Sequence, residues 1–142
     1  MSNKRLFLDT SVVFKWLQTQ ENDHVLAKKI YQDLLAKKIT IYAPELLFIE
    51  IANVLATKAA VGPQLLEKTL LHYQSLPVQV IAVDHASLNK SALLAKKHQT
   101  SVYDMLYAVL AKKYKCKLIT ADRKFISKTK FTHVLELSNY PS

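Results

Sequence analysis

The chain has 142 residues and a single glycine, Gly62. A P-loop, a dinucleotide fingerprint and a glycine-rich kinase loop each need several glycines, so that backbone can close on a phosphate. None of them can be built here, and any phosphate chemistry must fall to side chains and metal. Cysteine is equally scarce: Cys116 stands alone, which excludes an internal disulfide and a cysteine-built zinc cage. No stretch of about 18 uninterrupted apolar residues occurs. Lys4-Arg5 before Leu6-Phe7-Leu8 starts like a leader, but Asp9 ends the run too early for an h-region. Acids are outnumbered, 11 against 20 Lys and Arg, for a formal charge of +9. The expectation is one domain, 1–142, in a reducing cytoplasm, with no membrane segment and a polyanionic partner such as nucleic acid. The plain alternative for the charge is a solubilising surface.

What is present matters more for the few acids. Asp9 follows Leu6-Phe7-Leu8, and Glu50 is embedded in Leu46-Leu47-Phe48-Ile49-Glu50-Ile51-Ala52. Asp104 lies between Val102-Tyr103 and Met105-Leu106-Tyr107, and Asp122 closes Leu118-Ile119-Thr120-Ala121. A buried carboxylate is costly without a cation, donor or partner. Four in apolar settings point to an acidic pocket for a divalent cation.

The pattern alternates strands and helices. Strands are predicted at Lys4 to Leu8, Ile39 to Ala43, Val78 to Val83, Lys117 to Thr120 and Val134 to Leu137. Helical spacing is predicted from Ser11 to Leu17, Asp23 to Lys38, Pro44 to about Ala60, Gln64 to Ser75, Ala86 to His98, Ser101 to Lys115 and after Asp122. In the second helix Val25, Leu26, Ile30, Leu34 and Leu35 share the predicted apolar face. Strands separated by helices imply an α/β fold with a mostly parallel sheet and helices on both faces. Ligands of such sheets bind beyond the carboxyl ends of the strands. The Lys-Lys pairs at 28–29, 37–38, 96–97 and 112–113 are expected late in helices, where cations complement the dipole.

Each acid also has a plain structural reading. Asp9 and Asp122 can cap the helices that follow, and Ser101-x-x-Asp104 matches a capping box. Glu50 has no cap to make, and Asn53, one turn on, can orient it. Glu45 suits a first helical turn, and Asp84 an N-cap. Glu21, Asp23, Asp33, Glu67 and Glu136 read as surface. His24, His72, His85, His98 and His133 show no metal-ligand spacing and read as surface or helix-end residues. Trp16, Tyr103 and Tyr107 can stack on bases, although core or dimer packing is preferred for the two tyrosines.

Taken in order, Leu-Asp9-Thr-Ser, Glu50-Ile-Ala-Asn-Val-Leu, Tyr-Asp104-Met-Leu-Tyr-Ala-Val-Leu-Ala and Thr-Ala-Asp122-Arg-Lys-Phe resemble the PIN-domain family over essentially the whole chain. They are most like VapC-type toxins. The resemblance implies a Rossmann-like three-layer α/β/α sandwich and a Mg²⁺- or Mn²⁺-dependent endoribonuclease acting on single-stranded or structured RNA. It also implies a homodimer and a cognate antitoxin. By it, Asp9, Glu50, Asp104 and Asp122 are the catalytic acids, with Asp9, Asp104 and Asp122 on the metal, and Ser11, Asn53 and Thr120 in support. Oxygen donors suit a hard cation. Lys15, Arg123 and Lys124 are the candidate RNA contacts. A haloacid-dehalogenase-like phosphatase would need an acid where Ser11 stands, and a receiver domain would need an acidic pair before its phosphorylated Asp. The remaining rival is a PIN-like module that binds RNA or protein without cleaving.

Overall fold

The computed structural model describes residues 3–17, 24–58 and 60–141. Five strands form one sheet: β1 (Lys4–Leu8), β2 (Ile39–Pro44), β3 (Val78–Ile81), β4 (Lys117–Thr120) and β5 (Val134–Glu136). The α-helices are α1 (Thr10–Val13), α2 (His24–Leu35), α3 (Leu46–Thr57), α4 (Pro63–Ser75), α5 (His85–His98), α6 (Val102–Lys113) and α7 (Arg123–Thr129). Short 3₁₀ turns follow α1 at Phe14–Leu17 and β5 at Leu137–Asn139. The strand order is β3-β2-β1-β4-β5, and each described pairing is parallel. This is the expected three-layer α/β/α sandwich.

β1 lies at the centre because Leu6, Phe7 and Leu8 are all buried, as a strand covered on both faces requires. From β1 the chain steps outward to β2 and β3. It then returns through α5 and α6 to β4, on the other side of β1. The strand order therefore reverses between β1 and β4. The crevice at the carboxyl ends of these two strands is the ligand position such topologies provide.

Several boundaries and surfaces differ from the sequence reading. Pro44 closes β2, in register with Ile81, instead of opening α3, which starts at Leu46 with Glu45 at its N-cap. A strand end dispenses with the proline N–H as readily as a first helical turn does. Val25 and Leu35 are 73% and 52% exposed, and α2 instead buries His24, Ala27, Ile30, Asp33 and Leu34. Asp33 is thus no surface acid: Tyr140 donates to its Oδ2 at 2.6 Å and Lys29 to its Oδ1 at 2.9 Å. Burial pushes the Asp33 pKa up, but these donors outweigh it and hold the carboxyl below its ordinary range. Lys28 and Lys29 consequently sit mid-helix, whereas Lys96-Lys97 and Lys112-Lys113 do fall in last turns. Glu136 is partly buried and paired with Arg123. Glu21 and Asp23 lie outside the described residues.

The shortage of glycine leaves a structural mark. Helix ends commonly use a left-handed glycine, but here Lys37, Gln99, Lys115 and Lys130 adopt φ of 60°, 57°, 57° and 53°. The following N–H groups still close the helix end, Lys38 on Asp33 O at 2.9 Å, Thr100 on Ala95 O at 3.0 Å and Cys116 on Ala111 O at 2.8 Å. A side chain in this region costs roughly 1–2 kcal/mol, partly offset by the greater unfolded-state freedom of glycine. Gln99→Gly is therefore expected to stabilise the protein by about 0.5–1 kcal/mol in urea unfolding. A destabilised Gln99→Gly variant would contradict this account of the helix end.

Candidate active site at the seam between β1 and β4

Asp9 immediately follows β1 and is 8% exposed. Its Oδ1 accepts from the Ser11 backbone N–H at 3.1 Å and from the Ser11 hydroxyl at 2.5 Å. Its Oδ2 accepts from the Thr120 hydroxyl, at the end of β4, at 2.5 Å. Parallel register puts Leu8 beside Ile119, so the next residues of the two strands meet at the sheet edge. Ser11 Oγ also accepts from the Ala121 N–H at 2.9 Å, and Thr120 Oγ1 from the Asp122 N–H at 3.1 Å. Two hydroxyls thus tie the loop after β1 to the loop after β4, and both belong to the set anticipated from sequence.

Asp122 caps α7, accepting from the Phe125 N–H at 3.0 Å. Ser101 caps α6 by accepting from the Asp104 N–H at 3.0 Å, which leaves Asp104 in the positive first turn of that helix. The capping readings of Asp9, Ser101 and Asp122 therefore hold. In a parallel sheet, strands hand over to helix N-termini at one edge, so caps and first-turn acids gather there.

Glu50 reaches this edge from α3. Its Oε1 accepts from the Thr10 hydroxyl at 2.7 Å and from the Tyr107 hydroxyl at 2.6 Å, and these two hydroxyls stand 3.2 Å apart. Asn53, expected to orient Glu50, is exposed, and Thr10 and Tyr107 take that role. Sequence reasoning missed both. The signal was available, since Thr10 adjoins Asp9 and Tyr107 lies one helical turn after Asp104. Tyr107 is 1% exposed. Burial first, and then the charge of Glu50, push its hydroxyl far above the ordinary range, so it remains a donor. Tyr107→Phe is expected to cost about 1.5–3 kcal/mol, the range for a hydrogen bond to a charged group. Denaturant unfolding checks this, and an unchanged midpoint would mean the contact carries no weight.

Two of the four acids, Asp9 and Asp104, respond to the charge of the others. Burial pushes the Asp9 pKa up to about 6 against the pull of Ser11 and Thr120, and the charge of Asp104 adds to the rise. Asp104 is raised as well, by burial and then by Asp122 and Glu50, with Ser101 acting against them. Electrostatics thus link Asp9 to Asp104, and Asp104 to Asp122 and Glu50. Among the described residues, no group of three His, Cys, Asp or Glu side chains is drawn close enough to hold a metal ion as the chain stands. Like charges repel, and Asp9 and Asp122 lean on protein donors.

The remaining candidates are dispersed. Lys15 is half-buried on the turn after α1. Arg123 donates from Nε to Glu136 Oε1 at 2.7 Å, while Lys124 is exposed. Trp16 is a packing residue, half-buried, with its indole N–H on Ala27 O at 2.7 Å and its ring stacked with Tyr73. Tyr103 is 62% exposed. His24 opens α2, in keeping with the helix-end reading, but is buried and donates from Nδ1 to Lys15 O at 2.9 Å.

The model of the PIN domain family matches residues 6–131, and the chain belongs to that family. No curated protein sequence matches it significantly. Among solved structures, PAE2754 from Pyrobaculum aerophilum superposes with a TM-score of 0.65 at 19% identity, covering 95% of this chain and 90% of its own. A toxin-antitoxin complex from Klebsiella pneumoniae gives 0.66 at 12%, covering 93% and 97%. VapC20 of Mycobacterium tuberculosis, a sarcin-ricin loop cleaving toxin, gives 0.66 at 15%, covering 86% and 94%. At these identities the likeness is one of fold.

Proposed function

We propose that this PIN-domain protein is a divalent-metal-dependent endoribonuclease and the toxin of a toxin–antitoxin pair. The observation that supports the reading best is geometric: the hydroxyls of Thr10, Ser11 and Thr120 join Glu50, Asp9 and the backbone of Asp122 at the point where the strand order reverses. The donors are carboxylates and hydroxyls, all oxygen, which suits Mg²⁺ or Mn²⁺. Negative charge that raises its own pKa is what a cation would relieve. Asp9, Asp104 and Asp122 are the proposed ligands. When bound, the ion supplies Lewis-acid activation of water and neutralises charge at the phosphodiester.

The protein groups divide the remaining work. Ser11 and Thr120 fix the plane of the Asp9 carboxylate. Thr10 and Tyr107 occupy Glu50 Oε1, so Oε2 is the atom that orients the attacking water and takes its proton. An acidic crevice repels phosphate, so RNA is held by the basic surface around it, with Lys15 and Lys124 nearest in sequence and Arg123 sharing its charge with Glu136. Homodimerisation would cover exposed apolar residues such as Leu93 and Tyr103.

The test is cleavage of single-stranded RNA with Mg²⁺, Mn²⁺ or chelator, beside sedimentation and a pull-down with the product of any small gene adjacent to this one. Cleavage that requires the divalent ion supports the reading. Among the described residues no three carboxylates are gathered closely enough to hold an ion, and this favours a second reading, a PIN-like module that binds RNA or protein without cleaving. RNA binding with no cleavage under any divalent ion would establish that instead.

A further inference from the structure

A cavity of about 530 Å³ opens between α5, α6 and the segment leading into β5, and none of the four acids of the seam lines it. One carboxylate, Asp84, lines it, paired with Lys113, and three other parts of the lining differ in chemistry. Leu94, Ala108 and Val109 make an apolar floor. Phe131 and His133 form an aromatic wall, their rings 5.6 Å apart and 24° from parallel. Lys90 and Lys112 stand exposed at the rim without a carboxylate partner among the described residues, whereas Lys113 is tied to Asp84.

His133 adds a directional group. Its Nε2 lies 2.8 Å from Ala108 O. A carbonyl only accepts, so Nε2 carries the hydrogen and Nδ1 is left as an acceptor. Burial, and then the charges of Lys112 and Lys117, lower the imidazole pKa despite that hydrogen bond, which keeps this neutral form at physiological pH.

We propose that this cavity binds a nucleoside phosphate, with the base against Phe131 and His133 and the phosphate on Lys90 and Lys112. The volume lies in the range of a small-molecule site and admits one nucleotide. Aromatic walls stack on any base, His133 Nδ1 accepts from a base N–H, and lysines meet phosphate as point charges. An acidic peptide would satisfy the lysines but leave the aromatic wall without a flat partner. The ligand is either a free mononucleotide or an unpaired residue of an RNA strand. The inference stands whether or not the seam between β1 and β4 cleaves RNA.

The experiment uses the full chain in chelator, so that no cleavage intervenes, and follows the His133 ring resonances by NMR. The probes are the four ribonucleoside monophosphates, a single-stranded RNA hexamer, inorganic phosphate and a glutamate-rich peptide. His133 is expected to shift with at least one mononucleotide. Lys90→Ala/Lys112→Ala, at exposed positions, should weaken that binding about tenfold while leaving circular dichroism unchanged. Phe131→Leu, which keeps apolar bulk and removes the ring, should weaken it too. The same shift at lower concentrations of hexamer identifies an RNA strand as the source, and a response to mononucleotide alone identifies the free nucleotide. No shift with any nucleotide overturns the proposal. So does an equal shift with inorganic phosphate, a shift with the peptide alone, or undiminished affinity in the lysine double variant.

Discussion

Asp104→Asn is expected to yield a folded protein, more stable than the parent in chelator, with RNA cleavage reduced on the order of 10²–10³-fold or more, the range for losing one group that stabilises transition-state charge. The stability gain follows from its environment. Burial disfavours the Asp104 carboxylate, and the charges of Asp122 and Glu50 add to the cost. Asparagine removes that cost without removing the helix cap, because Ser101 accepts from the backbone N–H of residue 104 and not from its side chain. Melting curves and cleavage of single-stranded RNA, measured on the same preparation, read both effects. An Asp104→Asn protein that cuts RNA at the parental rate would remove Asp104 from the proposed machinery. One that melts lower would mean the carboxylate is stabilising where it sits.

The second large effect is a dependence of stability on pH that divalent ions should erase. Burial raises the Asp9 pKa to about 6 in the folded protein, from 3.8 for an ordinary Asp. The native state then holds this proton more tightly than the unfolded chain does. Its contribution is fully present below about pH 4, is lost as pH rises through about 6, and stays lost above. The difference amounts to roughly 2–3 kcal/mol. Other carboxylates titrate in the same window, so the useful quantity is the parent minus Asp9→Asn. Asparagine can still accept from the Ser11 N–H and can donate to Thr120. In chelator, urea unfolding from pH 4 to 7 should show the parent losing stability relative to the variant. With Mn²⁺ present the loss should shrink, since a cation favours the ionised form. Parallel curves for the two proteins in chelator would refute the account of Asp9, and an unchanged parent curve in Mn²⁺ would count against metal binding at this site.

Much of the fold was readable because the strands are short apolar runs closed by acids or turn residues. Leu6-Phe7-Leu8 reads as a buried strand, and Asp9, Asp84 and Asp122 announced the helices they cap. What failed was whatever depends on partners distant in sequence. Asp33 looked like one more acid on a charged helix, and nothing nearby reveals that Tyr140 covers it from the far end of the chain. Pro44 suits a strand end and a helix start equally, and register with Ile81 decides between them. At the candidate site, apolar context is what singles out the four acids as candidates. It could not show that Glu50 is gripped by Thr10 and Tyr107, since an aromatic hydroxyl in a helix reads as packing until a carboxylate from another helix arrives.

The placement of β1 has a consequence for how the molecule comes into being. β1, the middle strand of the sheet, leaves the ribosome well before one of its neighbours, β4, which begins at Lys117. The hydrogen bond that joins Asp9 to Thr120 spans 111 residues of chain. At roughly 5–20 residues per second, synthesis leaves β1 without that neighbour for about 5–20 s. Such long-range parallel pairing is also intrinsically slow to form. During that interval the Asp9 carboxylate has no seam to sit in. A nascent chain cut short before β4 therefore carries Asp9 without the Thr120 hydroxyl that holds it, and the seam between β1 and β4 forms only once Thr120 has been made.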